Sequence, residues 1–192
     1  IDEGFGARAI SGEKTAFAYS DDISPLALGD AASAVRAIAA AGQKRKTKVP
    51  ATRNMVGHAL YVPHDPLASL DATAKVKLLE RLEAYARAED PRVTQVMAHI
   101  AGEYEVVLIA GSDGRLAADI RPLVRVSITV FVEDAGGKRE QGSSGGGGRT
   151  DYGFFTDDVL RRYAREAVHQ AVVNLDAKPA PAGTMTVVLG SG

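Results

Sequence analysis

The sequence predicts an α+β fold, a mixed or largely antiparallel sheet covered by about three helices. Three observations lead there. Apolar residues recur at helical spacing in three separate stretches, and between the second and third the period drops to two. Turn signals built on glycine divide that middle region into strands. No internal repeat of fixed period is present, although a strand pair followed by a helix occurs twice.

Each element has a local reason. Gly4, Phe5, Gly6, Ala7, Arg8, Ala9 and Ile10 read as one strand and Ser11-Gly12-Glu13-Lys14 as a turn. Thr15, Phe17 and Tyr19 then share one face of a second strand, so the opening is a β-hairpin. Ser24-Pro25 supplies an N-cap and a proline at the first helical position, and an alanine-rich helix runs to about residue 41. Residues 42–68 look irregular, with a basic run of Lys44, Arg45, Lys46 and Lys48 and with Pro50, Pro63 and Pro66 breaking any pattern. Asp71 caps a second helix to about residue 89, whose apolar stripe is Val76, Leu79, Leu82 and Ala86, and Pro91 closes it.

Beyond that helix Val96, Ala98 and Ile100 alternate with polar or exposed partners until Gly102 breaks the run. Residues 104–110 form a nearly continuous apolar strand, Asp113-Gly114 is a hairpin turn, and residues 116–119 begin the return. Val124, Val126, Ile128, Val130 and Val132 define a strand with one buried face, and Gly136-Gly137 turns the chain again. The result is an antiparallel meander with one face available for helices. Residues 142–148 are the low-complexity segment, read as a glycine-rich loop inside a folded unit. Thr156 caps a third helix over 157–175, whose stripe includes Leu160, Tyr163, Ala167, Ala171 and Leu175. Residues 178–183 form a proline-rich linker, and residues 184–189 are expected to form one last strand.

Composition limits the chemistry. The chain has 192 residues with 23 Lys and Arg against 24 Asp and Glu, a net charge of -1, which argues against direct gripping of nucleic acid. Absence of cysteine excludes disulfides, thiolate metal sites and a cysteine nucleophile within these residues. No apolar run reaches the roughly 20 residues that span a bilayer, and no signal peptide is visible, so the expected setting is cytoplasmic, without a membrane partner.

His58, His64, His99 and His169 are the natural metal candidates, but no two stand one turn apart on a helix, and none is expected to bind a metal. No Gly-x-Ser-x-Gly elbow exists, since Gly142-Ser143-Ser144-Gly145 has the wrong spacing. Paired carboxylates such as Asp21-Asp22 and Asp157-Asp158 sit at helix starts, where negative charge favours the helix dipole. The glycine run lacks the Lys-Ser/Thr ending of a phosphate loop and the third glycine of a dinucleotide fingerprint. It still lets backbone N–H groups approach a ligand or another chain, and Arg149 beside it can hold a carboxylate or a carbonyl.

Several segments together resemble the TldD branch of the TldD/PmbA family. They are residues 1–19, the stretch from Asp113-Gly114 through Asp119, Pro122 and Arg125, the signature Gly142-Ser143-Ser144-Gly145-Gly146-Gly147-Gly148-Arg149, and residues 181–190. The resemblance spans nearly the whole chain and is least marked over 42–54. It implies a cytoplasmic zinc metallopeptidase acting on unfolded or small peptides, described as a modulator of DNA gyrase and working with a paralogous PmbA (TldE-like) subunit as a heterodimer. The family's His-Glu-x-x-x-His zinc motif is expected after the strand at 187–189, so no catalytic or metal residue carries over, and the fragment alone is expected to be inactive.

The expected organisation is therefore residues 1–183 as an N-terminal α/β region truncated at its start, and residues 184–192 as the first strand of a metal-bearing C-terminal domain. Gly145, Gly146, Gly147, Gly148 and Arg149 are the candidates for substrate cleft or subunit interface. Valine at Gly146 and Gly147 is expected to weaken peptide turnover without unfolding the protein. The alternative is a non-enzymatic protein-interaction module.

Overall fold

A computed structural model describes residues 2–39, 60–180 and 182–191. The basic run and His58 lie outside the described residues. The chain divides into two compact units, Ile1–Thr52 with Ser112–Gly114, and Arg53–Gly111 with Arg115–Gly192.

In the first unit, strands β1 (Phe5–Ser11) and β2 (Lys14–Ser20) form an antiparallel hairpin in which Ser11 pairs with Lys14. Gly12 makes the two-residue turn possible by adopting a φ of +61°, a region that side chains with a Cβ rarely enter. Helix α1 (Pro25–Ala39) starts where Ser24 Oγ accepts from the Ala27 N–H at 3.3 Å, with Asp22 in turn holding the Ser24 N–H at 2.8 Å. The buried hydrophobic side chains of this unit, among the described residues, are those of Ala16, Ala31 and Val35.

The second unit carries the larger core. Helix α2 (Ala72–Glu89) is capped by the Asp71 carboxylate, which accepts from the Ala74 N–H at 2.7 Å. Strands β3 (Val93–Ala110), β4 (Leu116–Glu133) and β5 (Arg139–Gly148) follow in an antiparallel meander of order β3-β4-β5. Helix α3 (Asp157–Leu175) closes the unit, its Thr156 cap accepting from the Val159 N–H. Both sheets are antiparallel and the architecture is α+β, as predicted. The central strand β4 is the core's spine: Val124, Val126, Ile128, Val130 and Val132 are all at most 1% exposed and pack with Leu160, Ala164, Ala167 and Ala171 of α3 and Leu78, Leu82 and Ala86 of α2.

The structure differs from the sequence expectation at five places, each with a physical cause. Residues 142–148 are not a loop but most of β5, paired with β4 from Gly142 opposite Val130 to Gly148 opposite Val124. Glycine's weak strand propensity is overridden here by the hydrogen-bond ladder and by the close approach of α3. Gly102 does not interrupt a strand; it lies inside continuous β3, where the Tyr152 Oη and the Leu67 side chain occupy the space a Cβ would fill. The return strand likewise runs unbroken through Pro122, whose ring nitrogen has no proton to donate. Pro122 lies two residues before Val124, on the side of β4 facing β5, at a level that β5 does not reach, so no ladder bond is lost. In α2 the buried stripe is Leu78, Leu82 and Ala86, while Val76 stays 53% exposed. Residues 184–189 pair with no strand among the described residues, and Val188 and Leu189 are exposed, because an alternating pattern becomes a strand only beside a neighbour.

Past the end of β5, β3 and β4 continue as a two-stranded arm. Arg121 ties it across the strands, donating to Asp119 at 2.7 Å and lying 3.9 Å from Glu105 on β3. Val106, Leu108 and Ile109 on this arm are exposed.

The α2–β3 junction is held by one carboxylate. Asp90 accepts from the Arg92 backbone N–H and from both Nε and Nη2 of its guanidinium, at 2.8, 3.0 and 2.8 Å. These bonds hold its carboxyl below the usual aspartate range. A carboxylate depressed in the folded state stabilises above its unfolded value and loses that contribution as pH falls through the folded one. Asp90→Asn should therefore lower the melting temperature at neutral pH, and the gap from wild type should close on acidification below the ordinary carboxylate range; a pH-independent gap in thermal melts would refute the assignment.

Glycine content divides into two kinds. A Cβ at Gly142 would meet the Ala167 carbonyl and, at 2.5 Å, the Ala171 nitrogen, whereas a Cβ at Gly29 in α1 meets nothing within 4 Å. Gly142→Ala should cost about 1–3 kcal/mol in urea unfolding, while Gly29→Ala should stabilise α1 by about 0.5–1 kcal/mol.

Candidate functional site

The candidate residues sit at the exposed edge of the second unit's sheet. β4 covers one side of β5, and no strand among the described residues covers the other. The even-numbered positions Gly142 and Gly146 turn toward α3: the added methyl at Gly146 would overlap the Tyr163 Oη. At Gly145 it would stand 2.5 Å from the Val126 carbonyl oxygen, and at Gly147 it would overlap that of Val124. Gly148 is less constrained, with its nearest neighbour, the Thr150 methyl, at 3.5 Å. Valine at 146 or 147 is thus a packing defect first, which reverses the expectation that such variants leave the fold intact.

Helix α3 also reaches over the outer edge of β5 with polar side chains. Gln170 Oε1 accepts the Ser143 N–H at 3.0 Å, and Asn174 Nδ2 donates to the Gln141 carbonyl at 3.0 Å. Ser144 Oγ donates to Glu166 at 2.7 Å. Lys138 donates to the Leu175 and Asn174 carbonyls, capping the helix C-terminus with a cation. Since Ser143 N–H and Gln141 C=O point away from β4, antiparallel alternation turns the N–H and C=O of Gly145 and Gly147 outward as well.

Arg149 follows directly. Its guanidinium lies 5.6 Å from the centre of the Tyr61 ring rather than against a carboxylate. Next to it Thr150 and Asp151, with Val62 and His64 from the preceding segment, line a small cavity of about 130 Å³. The Asp151 carboxylate caps the following turn by accepting the Gly153 N–H at 2.8 Å. The structure therefore brings Gly145, Gly147 and Arg149 to one edge, and turns Gly146 inward to packing. Sequence reading missed Tyr61, Gln170 and Asn174; the one-turn spacing of Glu166, Gln170 and Asn174 was the available signal, but it is also that of any solvated helix face.

The described histidines are dispersed: His64 precedes α2, His99 stands on β3 opposite Ser127, and His169 is on α3. Among the described residues no three His, Cys, Asp or Glu side chains are grouped to hold a metal ion. No helix among them is long and apolar enough to cross a membrane.

Comparison with known proteins places this geometry. Residues 65–175 match the family model of the PmbA/TldA metallopeptidase central domain, and residues 1–41 match that of PmbA/TldA metallopeptidase domain 1. A metalloprotease TldD homolog of Haemophilus influenzae is 50% identical over 198 aligned residues, covering 100% of this chain and 41% of that protein. A metalloprotease TldD homolog of Buchnera aphidicola from Schizaphis graminum is 42% identical, again over 100% of this chain and 41% of its own length. The chain thus spans about two fifths of the curated relatives it matches. Two crystal structures share the fold. One, from Thermotoga maritima, is 16% identical at a TM-score of 0.65, covering 94% of this chain and 39% of that one. The other, from Bacteroides thetaiotaomicron, is 14% identical at a TM-score of 0.66, covering 92% and 40%. Both are described as candidate modulators of DNA gyrase.

Arg149 rests on an aromatic ring at the surface, a contact of about 0.5–1 kcal/mol. Arg149→Ala should therefore leave urea-unfolding stability within about 1 kcal/mol of wild type. A loss above about 2 kcal/mol would make Arg149 a structural residue.

Proposed function

Because the chain belongs to the PmbA/TldD metallopeptidase family, we propose that it is part of a TldD-like zinc metallopeptidase of the cytoplasm that cleaves small or unfolded peptides. The described residues bind and orient the peptide. The observation that carries the reading is the 50% identity, over the whole of this chain, to a protein named as a metalloprotease. The edge of β5 supports the peptide-holding part. Outward N–H and C=O groups at Gly145 and Gly147 recognise an extended main chain whatever its side chains, as an enzyme for unfolded peptides requires. Gly147 is exposed and Gly145 half-buried, so a second backbone can approach at strand distance.

The metal does not fit the described residues, which offer no grouped ligand set. In this proposal zinc is held by other parts of the protein, and the chain's own contribution is alignment of the peptide. A paralogous PmbA-like subunit is the proposed partner. Exposed Val106, Leu108 and Ile109 on the β3–β4 arm support a subunit-binding surface, since a two-stranded ribbon with apolar side chains in water is marginal by itself.

The test is cleavage of an unfolded peptide by the protein expressed with its continuing coding sequence, alone and with its paralogous subunit. Turnover should fall at least tenfold with a zinc chelator and return on adding zinc. Peptide cleavage that persists unchanged in chelator would refute the zinc assignment, and no cleavage in the presence of the paralogue would leave the chain as an interaction module.

A further inference from the structure

The edge of β5 is not uniformly open. Strand addition needs free N–H and C=O groups on alternate residues, here Gln141, Ser143, Gly145 and Gly147. At the first two positions α3 has already taken one group each: the Asn174 amide holds the Gln141 carbonyl and the Gln170 amide holds the Ser143 N–H. A strand pairing at these positions would have to take the place of the two amides. At Gly145 and Gly147 no α3 side chain makes such a bond among the described residues.

We infer that Gln170 and Asn174 are positioning residues that stop an incoming extended peptide at Gly145. They confine main-chain pairing to the two-residue window of Gly145 and Gly147 and so set the peptide's register. This deepens the proposed function and rests on it for the identity of the occupant, an extended peptide backbone. The stop acts by competition. To pair at Ser143 a peptide carbonyl must displace a hydrogen bond already made, and to pair at Gln141 a peptide N–H must do the same. A stop of this kind also shields half of the edge from pairing with a second copy of this chain, the usual hazard of an uncovered strand. Glu166 sits one turn before Gln170 on the same side of α3, but it engages the Ser144 hydroxyl and not the ladder, so it closes nothing.

The experiment is residue-resolved amide hydrogen exchange on the full 192-residue chain. The probe is the capped peptide acetyl-Val-Thr-Val-Thr-Val-amide, with an analogue N-methylated at alternate amides as the control. The peptide should slow exchange at the Gly145 and Gly147 amides, and the N-methylated analogue should not. In the Gln170→Ala/Asn174→Ala double variant protection should spread to Ser143 and Gln141, with peptide affinity rising severalfold. Gln170→Glu, whose carboxylate still accepts from Ser143, should stop the peptide short of Ser143 as in wild type. Unchanged window and affinity in the double variant would overturn the stop while leaving edge docking intact. Absence of peptide-dependent protection anywhere on β5, in wild type and variant alike, would overturn edge docking and the stop with it; chelator-sensitive turnover would still decide the peptidase assignment separately.

Discussion

The distance between α3 and β5 is the constraint on which the second unit depends. Helix and strand meet so closely that no Cβ fits at Gly142 or Gly146, and α3 answers with Ala164, Ala167 and Ala171 along its inner stripe. Small residues on both partners bring two backbones together, and that proximity lets the side chains of Gln170 and Asn174 reach past the strand to its outer edge. A larger residue on either side would lift the helix, expose Leu160 and Val168, and withdraw the polar arms from the edge together. Packing and edge chemistry are thus one arrangement.

The sheet beneath distributes this constraint. β4 gives an unbroken row of branched side chains to the helices while its opposite face, with Arg125, Ser127 and Thr129, stays polar or partly exposed. Thr129 and Ser143 share a hydrogen bond of 3.0 Å across that open face. Strand lengths then set where the sheet has three strands and where it has two. Pro122 marks the change, because its missing N–H is harmless only where β5 has ended. On one side of it lies a packed three-stranded core, on the other an arm on which Val106, Leu108 and Ile109 stay exposed.

This division matters for function. The three-stranded part is packed against α2 and α3 and carries the partly open edge to which the proposal assigns the peptide. The arm is the part to which the proposal assigns the second subunit. Neither part supplies a metal-binding group among the described residues, so the proposed peptidase separates alignment from bond cleavage along the chain. Such separation makes the glycine run of β5 nearly silent about chemistry: what these residues supply is space, not reactivity.

Periodicity and capping by themselves determined a good deal. The three helices, their caps at Ser24, Asp71 and Thr156, the hairpin at Gly12, the buried face of β4 and the α+β class follow from local pattern, because each is written within a few neighbouring residues. The family resemblance was likewise legible. What only the tertiary structure decided is the state of residues with no side-chain signal. Glycines 142, 145, 146 and 147 read as a loop in one dimension and form a strand in three, because what selects them is the room left by α3 and β4. Gly102 looked like an interruption and is continuous strand, with Tyr152 filling the space beside it, and β4 runs through Pro122 because β5 has ended at that level. The roles of Gln170 and Asn174 were invisible for the same reason: a polar residue on a helix face is solvated or bonded according to which backbone lies across from it, and that backbone is some thirty residues away in sequence.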